Sequence, residues 1–332
     1  MEQMLPVIWA GVIAFGVFLY VVLDGFDLGV GILFLSRESQ KDRDLMMNSI
    51  APFWDGNETW LAVGGAGLMG AFPLAYATLL PALYLPVMVM LMALVFRGVA
   101  FEFRFKAERS RGVWDLAFFA GATVTTFCQG IMLGAFVQGV KVEKGVYAGG
   151  AFDWLTPFSI LVGFALLPGY ALLGATWLVM KAHGYVQAHA RRMAKILLLM
   201  VMAAMAIISL WMVIFDPGVR MRWFSSPNIF WLMPVPVLAA LAALVLWRSL
   251  TMGPEARPFQ MAIALFTLGY LGLGVSRWPY VVPPSITIWD AASPPATQGF
   301  ILVGVAITLP LVLGYTFYVY RVFKGKTGEG YH

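Results

Sequence analysis

Asp24 and Asp27 stand three residues apart in "LDGFDLGVG" (residues 23–31), near the end of the first long apolar run of the chain. Residues i and i+3 share a helix face, so Tyr20, Asp24, Asp27 and Gly31 make one continuous stripe. An ionised Asp costs about 2.5–3.5 kcal/mol at the centre of a membrane helix and less toward its ends. Two like charges one turn apart also repel each other. Such a pair favours at least one carboxyl that takes up and releases protons near neutral pH, which is what a proton relay through a membrane requires. The alternative is a pair of acids solvated by water or arginine at the membrane interface. "APFWDGNETW" (residues 51–60) supplies Asp55 and Glu58 at the same spacing, just after Pro52. Acids in the first turn of a helix are favoured by its dipole without any function, and Asp55 alone would suit an N-cap. Four acids converging on one membrane face favour the relay. Arg97, in "FRGVAFEFR" (residues 96–104), is a candidate counter-charge for the Asp cluster, or a residue that snorkels to lipid phosphates.

The elements that must position these residues are membrane helices. Of the 332 residues, 61% are hydrophobic and 12% charged, where a soluble chain would carry about 25% charged residues. A bilayer core of about 30 Å needs about 20 apolar residues. Nine candidate spans follow, at about 7–35, 57–78, 81–103, 114–138, 155–180, 194–215, 230–250, 259–278 and 298–322. The expected fold is all-α, a single polytopic membrane domain over residues 1–332 with no soluble domain. Pro73 and Pro81 bound a very short connection between the second and third spans, which should form an antiparallel hairpin. Lys141, Lys144, Arg220, Arg222 and Arg277 fall on one side of this topology and the other 17 of the 22 Lys and Arg residues on the opposite side. The positive-inside rule then puts the N-terminus outside and the C-terminus in the cytoplasm. Asp24, Asp27, Asp55 and Glu58 all come to lie in the cytoplasmic half. Trp9, Trp54, Trp60, Trp114, Trp154, Trp231 and Trp289 fall near span ends, as an aromatic belt would.

Several chemistries are disfavoured. The net charge of +5 is spread along membrane loops rather than gathered in an arm, so no nucleic-acid partner is expected. One cysteine, Cys128, excludes an internal disulfide and a Cys-rich metal site. The N-terminus lacks a positive region before its apolar stretch, so the first segment reads as a retained helix. "GAGLMG" (residues 65–70) fits GxGxxG but lies inside a span, without the strand that a nucleotide fingerprint needs. Small residues at this spacing, and in "GIMLG" (residues 130–134) and at Gly25 and Gly29, let helices pack closely, within the chain or against a partner. The histidines are His183, His189 and His332, none at mid-membrane, so no pair of His for heme or copper is offered; a Met could ligate, but the 19 Met residues in apolar spans read as packing. Asp290, beside Trp289 in the loop before the last span, reads as a loop-ordering residue.

"DGFDLGVG" (24–31), "NSIAPFWDGNETWL" (48–61), "FRGVAFEFR" (96–104), "QGV" (138–140) and "TIWDAAS" (287–293) together resemble subunit II of the bd-type quinol oxidases, including the cyanide-insensitive branch. The resemblance covers essentially the whole chain. It implies two helix bundles plus a peripheral helix, in the bacterial cytoplasmic (inner) membrane. It implies a larger heme-bearing subunit I as partner, with small single-span accessory peptides. That partner would ligate two b-type hemes and one heme d, while this chain would ligate no metal and hold no catalytic residue. The complex would oxidise quinol and reduce dioxygen to water, with protons drawn from the cytoplasm. Subunit II would support assembly and heme retention, and a quinone could serve as a structural lipid beside the membrane lipids. The family's hydrophilic path carries over to Asp24, Asp27 and Asp55; Glu58 stands where some relatives have Gln. Gly98 and Glu102 replace a common Pro and Asp, so "FRGVAFEFR" takes no role from the family. Two other classes share the acids and glycine-rich helices. A proton-coupled secondary transporter would add a mid-membrane substrate site and internal pseudosymmetry. A purely structural membrane subunit would use the acids only to hold helices together.

Overall fold

The computed structural model describes residues 3–37 and 39–328; His332 lies outside them. Helix α1 (Leu5–Leu33) runs into a 3-10 turn at Phe34–Ser36, and the short α2 (Gln40–Asn48) leads to α3 (Trp54–Ala71). Then come α4 (Pro73–Lys106), α5 (Arg111–Gln138), α6 (Pro157–Lys181) and α7 (Gly184–Phe215). Two short helices, α8 (Pro217–Phe224) and α9 (Asn228–Leu232), precede α10 (Pro234–Met252), α11 (Arg257–Arg277) and α12 (Pro295–Val322). The hairpins β1 (Val142–Glu143) with β2 (Val146–Tyr147), and β3 (Tyr280–Val282) with β4 (Ile286–Thr287), lie in the loops.

Proline starts many of these helices, in the first turn of α1, α4, α6, α8, α10, α11 and α12, where its missing N–H costs nothing. Before α6, Thr156 adds a capping box with Ser159. Among the described residues, eight helices are long and apolar enough to cross a bilayer. The remaining expected span, the second, corresponds to α3, which has 18 residues, about 27 Å of helix. Its first turns carry Asp55, Asn57 and Glu58, so it is less apolar than the others.

Helices α1, α3, α4 and α5 form one bundle and α6, α7, α10 and α11 a second; α1 and α5 pack against α6 to join them. Helix α12 lies outside both, against α1 and α3, and among its residues only Gln298 is buried. The bundles meet at a point where no side chain fits. A Cβ on Gly29 would lie 1.8 Å from the carbonyl oxygen of Tyr170, and one on Gly174 would lie 2.3 Å from the carbonyl carbon of Gly29. Gly130 likewise meets the backbone of Gly163. In the GxGxxG stretch, Gly67 faces Ile13 of α1 and Gly70 faces Ile301 of α12, while Gly65 faces open space. These small residues therefore serve close packing inside the chain.

The second and third spans part company differently from the sequence expectation. Helix α3 ends at Ala71, Phe72 alone leaves helical geometry, and α4 begins at Pro73, so residues 73–78 belong to α4. Pro81 and Pro86 lie inside α4 rather than bounding a loop. Neighbouring helices and local adjustments tolerate such prolines in membrane helices. The hairpin itself forms: Trp54, at the start of α3, stacks on Phe101, near the end of α4, with ring centroids 4.7 Å apart. The span expected at 230–250 is divided at Met233, before Pro234 restarts the helix. Trp9 and Trp60 are buried inside the chain rather than in an aromatic belt.

One ionic network was not anticipated. Asp115 of α5 accepts from Arg104 of α4 and lies 2.7 Å from Arg43 of α2. Asp44 of α2 lies 2.6 Å from Arg104 and 2.5 Å from Arg111. It fastens the connector after α1 to the ends of α4 and α5. Asp290 accepts from the amide and hydroxyl of Thr287, ordering the turn after β4 as expected of that loop.

Candidate functional site

Glycine brings α1 against α6 on one face, and the opposite arc of α1 turns Asp24 and Asp27 toward α3 and α4. Gly121 of α5 lets α4 approach closely, since a Cβ there would lie 2.7 Å from the carbonyl of Ala93 and 3.0 Å from Arg97. Arg97 is thereby held inside the first bundle. Its Nη1 lies 2.7 Å from Asp24 Oδ1, and both side chains are 0% exposed. Asp27 is equally buried, and its Oδ2 accepts from Asn57 Nδ2 of α3 at 2.7 Å. Asn57 Nδ2 also reaches the carbonyl of Leu23 at 3.3 Å, and its Oδ1 accepts from Tyr320 of α12 at 3.0 Å. Helix α12 therefore closes this end of the site.

The bonding at the centre is incomplete. Neither oxygen of Asp24, nor Oδ1 of Asp27, nor any guanidinium nitrogen of Arg97 makes a hydrogen bond of full geometry. The Asp24–Arg97 contact is thus a close ion pair outside the hydrogen-bonding angle. A buried polar group without a partner costs about 1–3 kcal/mol, and a charged one more. Water with several polar neighbours removes that cost. Charge points the same way. Asp24, Asp27 and Glu58 all act on the single guanidinium of Arg97, so the carboxyls exceed the positive charge and the cluster can bind protons.

The four sequence-selected acids are graded in depth. Asp55 is exposed and outside the buried cluster, Glu58 one turn on is half-buried, and Asp27 and Asp24 are fully buried. Glu58 interacts electrostatically with Asp55 on one side and with Asp24 and Arg97 on the other. Arrays of this kind can carry protons between a surface and an interior.

A sequence profile of the cytochrome bd terminal oxidase subunit II family matches residues 5–323. The chain belongs to this family. Subunit 2 of cytochrome bd-I ubiquinol oxidase from Escherichia coli K12 is 29% identical, over 98% of this chain and 95% of that one. Cytochrome bd ubiquinol oxidase subunit 2 from Bacillus subtilis 168 is also 29% identical, with 93% of each chain covered. Among solved structures, the bd oxidase from Geobacillus thermodenitrificans superposes with a TM-score of 0.78 at 18% identity, covering 96% of this chain and 98% of that one. That likeness speaks for the fold.

In this subunit II, sequence reasoning missed Asn57, Tyr320 and Gln129. Asn57 sits between Asp55 and Glu58, and Gln129 is an amide in the middle of an apolar span, which are the signals that would have found them. Tyr320 gives no signal, because only the tertiary fold brings it to Asn57. Neither described histidine is buried. His183 is exposed before α7, and His189 pairs with Ser36 at 3.1 Å. Among the described residues no group of three or more His, Cys, Asp and Glu could hold a metal.

Proposed function

We propose that this chain is the non-heme-ligating subunit of a bd-type quinol oxidase, and that it supplies a proton path from the cytoplasm. The family membership supports the first part, and the names of its relatives support ubiquinol or a similar quinol as the electron donor of the complex. The larger subunit I would carry the two b-type hemes and heme d, with small accessory peptides, lipids and a structural quinone around the pair. The chain would support assembly and heme retention in that partner, in the bacterial inner membrane.

The buried Asp24–Arg97 pair beside Asp27 is the observation that carries the second part. Reduction of dioxygen to water consumes protons, and a membrane-buried oxidant needs titratable groups and waters to receive them. The distribution of Lys and Arg supports a cytoplasmic side for these acids. Protons would enter at the exposed Asp55, pass Glu58, and reach Asp27 and Asp24. Arg97 would offset one carboxylate charge of the cluster while the unpaired polar atoms engage water. The excess of carboxyls over guanidinium leaves carboxyls free to take up a proton. A purely structural role is the reading to separate from this one, because the Asp24–Arg97 pair also ties α1 to α4.

Purification of the intact complex from native membranes tests the assignment. A heme-bearing larger subunit is expected to accompany the chain, with b- and d-type visible bands and quinol-driven oxygen uptake. A chain that purifies alone, colourless and stable, would contradict it.

A further inference from the structure

A string of polar side chains leaves Asp24 on the side away from Asp27, and the proton path does not use it. The hydroxyl of Tyr170 on α6 donates to Gln129 Oε1 on α5 at 2.8 Å. Gln129 Nε2 in turn donates to the hydroxyl of Tyr20 on α1 at 2.6 Å. Tyr20 is one turn from Asp24 on the same face and couples to its carboxylate in a contact short of full hydrogen-bond geometry. Both tyrosines are buried, and the string ties three helices together. The amide decides which way the string points. A carboxamide accepts only through oxygen and donates only through nitrogen. An anion at Asp24 calls for the single proton of Tyr20, so the oxygen of Tyr20 must accept, and the amide nitrogen must face it.

We propose that Gln129 is a positioning residue that orients the Tyr20 hydroxyl as a donor to Asp24 and so sets the proton affinity of Asp24. This rests on Asp24 being part of the proton path. Arg97 from α4 and Tyr20 from α1 act on Asp24, and Asp24 in turn acts on Asp27 from α1, Glu58 from α3, Tyr170 from α6 and Tyr320 from α12. From α5 the contribution is the uncharged amide of Gln129, through Tyr20. Gln129 therefore acts by direction of a hydrogen bond and not by charge. A carboxylate that loses an oriented donor binds its proton more tightly.

The test is infrared titration of the carboxyl band of Asp24 in the purified complex, the band being assigned by its loss in Asp24→Asn. Gln129→Met, close in volume but without an amide, should raise the proton affinity of Asp24 at least threefold, about half a pH unit. Tyr20→Phe should do the same, and the double variant should match Tyr20→Phe alone, because Gln129 acts only through Tyr20. An unchanged midpoint in Gln129→Met, or a shift that adds in full to that of Tyr20→Phe, would overturn the proposal. Gln129→Leu provides the same comparison if the Met variant does not assemble, and retained heme bands identify assembled complex. The titration reads Asp24 directly, so it stands whether or not turnover depends on that residue. Turnover of Asp24→Asn tests the path separately.

Discussion

Arg97→Leu is expected to lose assembled, heme-containing complex almost completely, because it leaves Asp24 and Asp27 buried beside Glu58 with no counter-charge. Breaking a buried ion pair by removing one partner costs about 3–5 kcal/mol, a large share of a total stability of about 5–15 kcal/mol. The asymmetry of the cluster makes the prediction specific. Asp24, Asp27 and Glu58 share one guanidinium. Removal of one acid leaves Arg97 still compensated, whereas removal of the one base leaves every acid uncompensated. Asp24→Asn should therefore be much milder in yield than Arg97→Leu. The double variant Arg97→Leu/Asp24→Asn should recover part of the lost complex. Visible spectra of solubilised membranes, normalised to the amount of chain, make the comparison. Equal yields for Arg97→Leu and wild type would show that the pair is dispensable.

Gly29→Ala is expected to be nearly as damaging, although in an ordinary helix the same change is favourable by up to about 1 kcal/mol. The added Cβ would lie 1.8 Å from the carbonyl oxygen of Tyr170, and a backbone atom cannot turn aside as a flexible side chain can. Helices α1 and α6 would have to separate, and both bundles with them. Overpacking of this kind costs about 1–3 kcal/mol and occasionally more. It would also displace Tyr170 from Gln129. Gly112→Ala, in the first turn of α5 with no atom within 4 Å of its would-be Cβ, is the control. A thermal melt of the detergent-solubilised complex should show a lower midpoint for Gly29→Ala and none lower for Gly112→Ala. A melt of Gly29→Ala at the wild-type midpoint would contradict the close crossing.

Hydropathy made most of the fold legible, because a run of about 20 apolar residues matches the thickness of a bilayer core and little else in a protein. Its weak point was α3. The polar first turn of this helix makes it the least membrane-like of the nine, and Pro73 and Pro81 look alike on paper. One begins a helix and the other sits inside it, although both are exposed, so neither residue type nor burial tells them apart. The acids were legible for a related reason, since a carboxylate in an apolar run is costly and therefore conspicuous. Their partners were not. Asn57, Gln129 and Tyr320 are cheap residues individually, and the hydrogen bonds that give them meaning cross between helices 30 to 263 positions apart. Depth was also invisible. Asp55 and Glu58 share the i, i+3 spacing of Asp24 and Asp27, yet Asp55 is exposed while the first pair is fully buried. Spacing fixes a face, and only packing says what covers it.

Quinol-driven oxygen consumption by Asp24→Asn, measured per heme in the purified complex, tests the proton path most directly. Asparagine keeps the shape of the side chain and cannot exchange a proton as a carboxyl does. A positioned proton-transfer group contributes about 10²–10⁴-fold, so turnover should fall at least tenfold while the heme bands keep their wild-type intensity. Wild-type turnover at full heme content would contradict the path, and loss of heme in step with activity would assign Asp24 to holding the helices together.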